Sequence, residues 1–322
     1  MSGHIEHDHQ ADGIDRRGFL RCMAWAGTGV VWTLGSGGFT SRALGDAAGA
    51  GAAGVRQFSF VQISDSHIGF DKPANQDVVG TLEACVKRIN ALPHRPSFVV
   101  HTGDHVHLSK PSEFDTVRQI LGTIKTDRIF HVPGEHDVFV DQGKQYLHFF
   151  GRGARGTGYY SFDVGGVHFL GLANVQSTES QSAPGNNGLG VLGHEQRAFI
   201  KRDLAHLHSD TPIVVFGHVP LLAVYPQWGW ATTDSAEVLK LLKRFGSVTA
   251  LNGHIHQVIT KTEGRIVMHT AASTAYPLHP PGDVAPEPLV VPAGELPSRI
   301  GIRTVRFRRG SSSLALVDQS LA

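Results

Sequence analysis

Cysteine and net charge are what this sequence has least of. Its 322 residues include 2 cysteines, and 29 basic side chains against 28 acidic ones leave a formal net charge of +1. With so few thiols, any metal site must use nitrogen and oxygen ligands. The small net charge gives no reason to expect a nucleic-acid polymer or an acidic surface as a partner.

The usual signatures of nucleophilic catalysis are also missing. The sequence contains no Gly-x-Ser-x-Gly turn of the kind that presents a nucleophilic serine. Cys85 falls on the apolar face of a predicted helix, an environment that does not activate a thiol. Catalysis through serine or cysteine is therefore disfavoured. Histidine, by contrast, is abundant, with 20 residues in the chain.

The first 45 residues differ from the rest of the chain. Arg16 and Arg17 precede an apolar stretch from Cys22 to Leu34, which is short for a membrane span but suits the apolar core of a signal peptide. The paired arginines resemble a bacterial twin-arginine export signal. The alternative is a basic tail followed by an uncleaved membrane anchor.

From the signal we predict a division of the chain into three segments and the cellular location of the protein. Residues 1–45 are the signal peptide, 46–56 a linker of small residues, and 57–322 one folded domain, with cleavage between Ala43 and Gly54. The expected partner in export is the twin-arginine machinery, and the expected location is periplasmic or secreted. No stable membrane span is expected in the mature protein.

From residue 57 on, predicted strands alternate with predicted helices. Five runs rich in β-branched and aromatic residues each end on a turn signal: Phe58–Ser64, Ser97–Thr102, Arg128–Val132, Pro212–Phe216 and Val248–Asn252. Helical periodicity joins apolar residues in 78–89, 199–207 and 238–245. This alternation predicts an α/β domain without internal repeats. Two more predicted strands, in 264–274 and 299–309, follow each other with no helix between them, so the architecture is mixed.

Carboxylate and imidazole side chains follow each of the five strands. They are Asp65 and His67, Asp104 and His105, Glu135, His136 and Asp137, His218, and His254 and His256. In α/β sheets, sites form at the carboxyl ends of strands. Each motif alone is typical of a surface turn or a core histidine, but the ordered series predicts a metal site. Such ligands suit Mn, Fe or Zn, and about seven of them can hold two ions.

The ordered motifs resemble those of a known family. They are Asp65-x-His67, Gly103-Asp104, Gly134-Glu135-His136-Asp137, Gly217-His218 and Gly253-His254-x-His256. This series is similar to that of the calcineurin-like metallophosphoesterases, and closest to the branch that includes cyclic-nucleotide phosphodiesterases. The resemblance covers nearly all of residues 57–256. It implies an αββα fold, a two-sheet sandwich flanked by helices, with a dinuclear metal centre above the sheet edges.

The resemblance also implies a role for each motif residue. One metal would be bound by Asp65, His67 and His256, the other by Glu135, His218 and His254, and Asp104 would bridge them. His136 would act beside the centre as a proton donor or phosphate contact. The two ions, divalent or of mixed valence, would clamp phosphoryl oxygens and activate water to hydrolyse a small-molecule phosphate ester. A phosphodiester, nucleotide-derived esters included, is favoured. The alternatives are a phosphomonoesterase or an exported metal-binding protein whose catalysis has decayed.

Two positions depart from the family's pattern. Glu135 stands where the family usually has asparagine, and His107 stands where it commonly has a second acid. A third carboxylate at the centre predicts tighter metal retention. Without that second acid, His136 needs another acidic partner, for which Asp137 is one candidate.

Substrate choice is expected to depend on the loops. Gln176–Gly190 and Tyr276–Pro297 are candidate lids, with surface packing as an equal alternative. Trp228 and Trp230 are candidate substrate contacts because aromatic faces stack on nucleobases, although pinning of their own loop is the favoured interpretation.

Overall fold

The computed structural model describes residues 57–175, 189–282, 285–308 and 314–322, together with the backbone of residues 30–35 and 38–43. Met1–Val55 and Arg56–Ala322 form two separate compact units. In the first unit, strand β1 (Val30–Gly35) pairs antiparallel with β2 (Gly38–Ala43). The paired arginines of the predicted signal and the predicted cleavage segment lie outside the described residues.

The second unit contains eleven strands and seven helices in its described residues. The strands are β3 (Gln57–Ile63), β4 (Phe98–His101), β5 (Ile129–His131), β6 (Tyr160–Val164), β7 (Val167–Gly171), β8 (Ile213–Phe216), β9 (Val248–Asn252), β10 (Thr260–Glu263), β11 (Ile266–Thr270), β12 (Gly301–Arg308) and β13 (Ala315–Ser320). The helices are α1 (Val78–Asn90), α2 (Pro111–Leu121), α3 (Glu135–Val138), α4 (Lys144–Phe150), α5 (Gly193–Ala205), α6 (Ala236–Leu242) and α7 (Leu296–Arg299).

These strands form two mixed sheets. The five-stranded sheet has the order β13-β12-β3-β4-β5, in which β3, β4 and β5 are parallel and β12 is antiparallel to both of its neighbours. The six-stranded sheet has the order β10-β11-β9-β8-β7-β6, with antiparallel pairs at its two edges and parallel pairs between. Within the described ranges, no helix is both long and apolar enough to cross a membrane.

Side chains on the two faces of each sheet pack into two different cores, one between the sheets and one between the sheet and its helices. Phe60 and Phe98 from one sheet meet Phe169 and Phe216 from the other in a buried cluster, where the rings of Phe60 and Phe169 lie 5.6 Å apart. Each such buried ring contributes about 1.5–3 kcal/mol relative to an exposed one. The opposite faces carry helices, α1 and α2 on the five-stranded sheet and α5 and α6 on the six-stranded sheet. This is the predicted α/β sandwich of two sheets flanked by helices.

Helix α1 shows how the local sequence sets an element. The side chain of Asp77 accepts a hydrogen bond from the backbone N–H of Gly80 at 2.8 Å and caps the first turn. The apolar residues that the periodicity groups on one face are those that the helix buries: Val78, Leu82, Cys85, Val86 and Ile89. The amphipathic pattern therefore predicts the packed face of this helix correctly.

Most of the predicted elements are confirmed, and the differences are local. The five strands that precede the polar motifs all form, within two residues of the predicted ends. The prediction of no helix between the last two segments is wrong, because α7 makes one turn before β12. Sequence periodicity also missed the β6–β7 hairpin, α2, α4 and β13.

Candidate metal centre

The loops that follow the strands have an unusual backbone. Five of the predicted metal ligands adopt positive φ angles, between 42° and 68°: Asp65, His67, Asp104, His254 and His256. This left-handed conformation costs about 1–2 kcal/mol for most residues with a side chain, and Asp and His are among those that adopt it most often. Such backbone strain clusters at functional sites.

Glycines beside the ligands serve two different purposes. Gly103 has a φ of 96°, which a residue with a side chain rarely adopts. Gly134 has an ordinary φ of −100°, but a Cβ there would lie 2.1 Å from Oδ1 of Asp104. A Cβ on Gly253 would lie 2.1 Å from the Oγ of Ser64. At these last two positions, glycine is required because another motif loop approaches closely.

The first predicted ligand set is assembled. Ligand atoms of Asp65, His67 and His256 all lie within 4.8 Å of one another, and all three residues are buried. Nε2 of His256 is 3.3 Å from Oδ1 of Asp65 and 3.2 Å from Nε2 of His67. Two imidazole nitrogens and a carboxylate oxygen therefore converge on one point.

The second predicted set is assembled as well. Glu135, His218 and His254 place ligand atoms within 4.8 Å of one another. Oε1 of Glu135 lies 2.7 Å from Nδ1 of His254, and Oε2 lies 2.8 Å from Nε2 of His218. Glu135 thus uses both oxygens and faces two imidazoles at once.

Asp104 lies between the two sets. Its Oδ2 is 3.5 Å from Nε2 of His67 in the first set and 3.3 Å from Nε2 of His218 in the second. Its Oδ1 accepts a hydrogen bond of 2.9 Å from the backbone N–H of His136. This is the position that a bridging carboxylate requires.

Buried polar atoms without partners test whether these residues fit metal ions. Among the described residues, four ligand-set atoms are buried and have no hydrogen-bond partner: Oδ2 of Asp65, Oε2 of Glu135, Nε2 of His218 and Nε2 of His254. The 2.8 Å approach of Glu135 to His218 lacks the alignment of a hydrogen bond. Buried polar atoms in native proteins are nearly always satisfied, and a cation would satisfy the facing atoms of Glu135 and His218.

The histidine tautomers agree with that fit. Nδ1 of His218 donates to the carbonyl of Thr102 at 2.7 Å, and Nδ1 of His256 donates to the carbonyl of Tyr276 at 2.7 Å. Because the proton is held on Nδ1, the lone pair of Nε2 faces the carboxylates. The residues present therefore suit two cations bound by nitrogen and oxygen.

The electrostatics favour the ligand forms of Glu135 and His67, and the protonated form of His218. Burial alone would raise the pKa of Glu135, but His254 and His218 lower that pKa well below its usual value, so the group is a carboxylate. Burial and the neighbouring imidazole of His136 lower the pKa of His67 well below its usual value. Burial opposes protonation of His218, yet Asp104 and Glu135 raise its pKa. A cation bound there would displace this proton.

His136 lies beside the ligand sets. A ring nitrogen of His136 is within 4.8 Å of carboxylate oxygens of Asp104 and Glu135. Its Nδ1 donates to the backbone carbonyl of His107 at 2.8 Å. Burial would lower the pKa of His136, but the charges of Asp104 and Glu135 raise it.

Asp137 contacts the backbone of two loops, and its charge also raises the pKa of His136. Its Oδ2 lies 2.8 Å from Nδ1 of His105 and accepts from the backbone N–H of Gly134, while Oδ1 accepts from the backbone N–H groups of His105 and Val106. No contact joins it to the ring of His136 among the described hydrogen bonds. Asp137 therefore ties the Asp104 loop to the Glu135 loop, a role that the sequence did not indicate.

The aromatic candidates border the second set. The ring of Trp230 lies 4.6 Å from that of His254, Trp228 lies 5.0 Å from Trp230, and Tyr225 lies 5.5 Å from Trp228. Trp228 and Trp230 are half-buried. Tyr276, the first residue of the other candidate lid, lies 4.8 Å from the ring of His256, with the two ring planes tilted by 54°. Of the candidate lid Gln176–Gly190, residues 176–188 lie outside the described ranges.

Comparisons with known proteins agree with this geometry. The family model described as calcineurin-like phosphoesterase matches residues 58–258. A serine/threonine-protein phosphatase CPPED1 from Danio rerio is 25% identical over 62% of this chain and 70% of its own length. A glycerophosphodiester phosphodiesterase GpdQ from Enterobacter lignolyticus is 26% identical, over 63% and 72%. A probable cyclic nucleotide phosphodiesterase from Psychrobacter sp. is 25% identical, over 62% and 58%.

Solved structures show the same fold. A dimetal phosphatase from Danio rerio superposes with a TM-score of 0.58 at 16% sequence identity, covering 82% of this chain and 99% of the other. A purple acid phosphatase from yellow lupin gives a TM-score of 0.57 at 14% identity, covering 83% and 52%.

Proposed function

This chain belongs to the calcineurin-like phosphoesterase family and is a hydrolase, and we propose that it hydrolyses a small-molecule phosphate ester at a dinuclear metal centre. The observation that carries the proposal is the convergence of two ligand sets on one shared carboxylate, Asp104, with four buried ligand atoms left without partners. Nitrogen and oxygen ligands of these types suit Mn, Fe and Zn alike.

We assign the ligands as the two assembled sets. One ion would be held by Asp65, His67 and His256 and the other by Glu135, His218 and His254, with Asp104 shared. When bound, the two ions supply neutralisation of the phosphoryl oxygens and activation of the attacking water. Backbone carbonyl groups hold the rings of His218 and His256 and so orient these two ligands.

We assign His136 as the proton donor. Its Nδ1 proton is committed to the carbonyl of His107, so Nε2 is the nitrogen available to a substrate. Asp104 and Glu135 raise its pKa against the effect of burial, which favours the charged ring. A proton at Nε2 can pass to the leaving oxygen or stabilise charge on the phosphate.

A phosphodiester is the proposed substrate class. Two of the relatives are named for phosphodiesters, a glycerophosphodiester and a cyclic nucleotide, and a third is named a phosphatase. We propose that Trp228 and Trp230 contact the organic group of the ester, because Trp230 lies against the ligand His254 and aromatic faces stack on planar groups.

Export is proposed on the sequence alone. The support is Arg16-Arg17 followed by the apolar stretch 22–34, which predicts twin-arginine transport to the periplasm. Replacing both arginines by lysine in a bacterial host should retain the protein in the cytoplasmic fraction. Undiminished recovery of that variant from the periplasm would contradict the proposal.

The proposed reaction is tested by metal-dependent turnover of two model esters. The full chain is supplied with Mn²⁺ and assayed on bis(p-nitrophenyl) phosphate and p-nitrophenyl phosphate, and the assay is repeated with iron and zinc. Asp104→Asn should lower turnover by about 100-fold or more, because both ligand sets lose their shared carboxylate. The matched control is Asp127→Asn, whose carboxylate is exposed and paired with Arg95.

Four outcomes decide the proposal. Faster turnover of the diester supports the proposed class, whereas faster turnover of the monoester makes the protein a phosphomonoesterase. A wild type that binds metal but cleaves neither ester, or an Asp104→Asn variant as active as the wild type, contradicts a dinuclear phosphoesterase that acts on simple esters.

A further inference from the structure

The second nitrogen of each ligand histidine determines whether the first can bind metal. A neutral imidazole has one N–H and one lone pair, so the nitrogen that faces a cation must leave its proton on the other. In His218 and His256 that other nitrogen donates to a backbone carbonyl. His67 is arranged differently.

The Nδ1 of His67 faces another histidine. His67 is buried, and its Nε2 points toward the first ligand set, 3.2 Å from Nε2 of His256. Its Nδ1 lies 3.4 Å from Nδ1 of His107, and the described hydrogen bonds include no other contact of that nitrogen. A proton on Nδ1 of His67 can therefore be satisfied by the lone pair of His107.

We propose that His107 is a positioning residue, which accepts the Nδ1–H of His67 and so holds that ring in the tautomer and orientation that the first metal requires. The inference rests on the proposed metal centre. It assigns a role to a side chain that stands where the family commonly has an acid, and it makes the orienting group an imidazole.

The packing of His107 makes this contact rigid. Its ring stacks on His136 with the centroids 4.7 Å apart and the planes at 17°, and it meets the edge of Phe70 at 5.2 Å. Its backbone N–H donates to the carbonyl of Ile68 at 2.9 Å, which fixes the loop beside His67. These contacts hold the acceptor nitrogen beside Nδ1 of His67.

Without His107 the Nδ1–H of His67 would be buried and unpaired. An unsatisfied buried donor is costly, so the ring would gain by moving its proton to Nε2 or by rotating. Either change removes the lone pair from the metal. Loss of an outer hydrogen-bond partner of a ligand histidine typically weakens metal binding about 10–100-fold, and here the loss should fall on one of the two ions.

The test distinguishes the effect of the hydrogen-bond acceptor of His107 from the effect of the shape of its side chain. His107→Phe keeps a flat ring for the stack on His136 but has no acceptor. His107→Asn places an amide oxygen at the same bond distance from Cα as Nδ1, and His107→Leu has nearly the shape of asparagine without the oxygen. The matched control, His94→Phe, removes an exposed histidine.

Metal binding, not activity, is the readout. Each full-length protein is stripped of metal and titrated with Co²⁺ in a calorimeter, with circular dichroism as a check of folding. We expect His107→Phe and His107→Leu to lose about 10–100-fold in affinity for one of two ions. His107→Asn should stay within a few-fold of the wild type, and His94→Phe should match it.

The outcomes distinguish this inference from the proposed function. If the wild type binds two Co²⁺ ions and folded His107→Phe binds both as tightly, the role of His107 is wrong while the metal centre stands. Equal losses in His107→Asn and His107→Leu also overturn it, because the acceptor would then be irrelevant. That comparison remains decisive if His107→Phe does not fold. A wild type that binds no Co²⁺ overturns the metal centre itself.

Discussion

Glu135 contacts two ligand imidazoles with its two carboxylate oxygens. One oxygen lies 2.7 Å from Nδ1 of His254 and the other 2.8 Å from Nε2 of His218. Together with Asp65 and Asp104 it brings three carboxylates to the centre. Two divalent ions bring four positive charges, so three carboxylates leave less uncompensated charge than two, and metal should be held more tightly.

We therefore predict that Glu135→Asn releases metal faster. An amide carries no net charge and has one oxygen where the carboxylate has two, so the release of bound metal to a chelator should speed up about 10-fold. Release is followed by the colour change of a chelating dye. Glu237→Asn, on the exposed face of α6, is the control, and unchanged or slower release from Glu135→Asn would contradict the prediction.

His168, which lies outside the metal-binding motifs, predicts that the free energy of unfolding depends on pH. His168 on β7 is buried between Asp203 and Asp163, each 2.9 Å from one of its ring nitrogens. Burial would lower the pKa of His168, but hydrogen bonds to both carboxylates raise it. Burial would raise the pKa of Asp203, but its bond to His168 lowers it.

The signs of these shifts define a pH window. A raised histidine pKa stabilises the fold fully below the unfolded value of about 6.5 and ceases to do so as pH rises through the folded value. A lowered aspartate pKa stabilises the fold above the unfolded value of about 3.8 and ceases to do so as pH falls through the folded value. The pair therefore contributes most between about pH 4 and 6.5.

His168→Gln should show this window. Its loss in free energy of unfolding, relative to the wild type, should be larger at pH 5.5 than at pH 8.5, as measured by urea unfolding. The exposed His94→Gln should show no such difference between the two pH values. An equal loss at both pH values would mean that charge on His168 does not contribute.

At the scale of elements, a glycine lies on each side of strand β9, and the two positions differ in the space available for a side chain. Gly253 follows the strand and leads into His254, and a Cβ there would lie 2.1 Å from Oγ of Ser64 and 2.7 Å from Oδ2 of Asp65. Gly246 precedes the strand, and a Cβ there would meet only an ordinary contact at 3.7 Å. The two positions form a matched pair.

Gly253→Ala should therefore be far more harmful than Gly246→Ala. The added methyl group must push the β9 loop away from the Asp65 loop, which separates members of the first ligand set. We expect a loss of stability of about 1–3 kcal/mol, the usual cost of overpacking, and weaker binding of Mn²⁺. Thermal unfolding with and without Mn²⁺ measures both effects, and similar behaviour of the two alanine variants would contradict the steric argument.

At the scale of the whole molecule, one buried arginine joins the two sheets. Arg303 on β12 is 1% exposed. Its guanidinium donates to Asp318 and Gln62 in its own sheet, and to the carbonyl of Thr270, at the end of β11 in the other sheet, at 2.9 Å. Gln62 in turn donates to the carbonyl of Asn252 at 3.2 Å. This network spans the sandwich directly beneath the motif loops.

Removal of that arginine should destabilise the entire sandwich. Arg303→Met leaves the acceptors on Gln62 and Thr270 unpaired, and we expect a loss of about 3 kcal/mol, the low end for a broken buried pair because Asp318 is 37% exposed. Arg306→Met, on the same strand but exposed, is the control. Chemical denaturation measures both, and a difference below about 1 kcal/mol would show that the network is dispensable.

Much of the fold and most of the ligand sets could be predicted from the sequence. Strand ends, amphipathic faces and the glycines beside Asp104 and His254 are signals within a few residues of one another, and local chemistry determines them. Edge strands such as β6 and β13 are only partly buried, so their alternation is weak and periodicity missed them.

The sequence by itself determined which chemistry this protein can perform, because the residue types that bind metal follow strand ends in a recognisable order. Tertiary structure alone decided how those residues are held. The contact of His67 with His107, the bonds of Asp137 to His105 and Val106, and the bonds of Arg303 to Gln62 and Thr270 join residues 31 to 241 positions apart. Such contacts depend on how loops and sheets pack, and no local pattern specifies them.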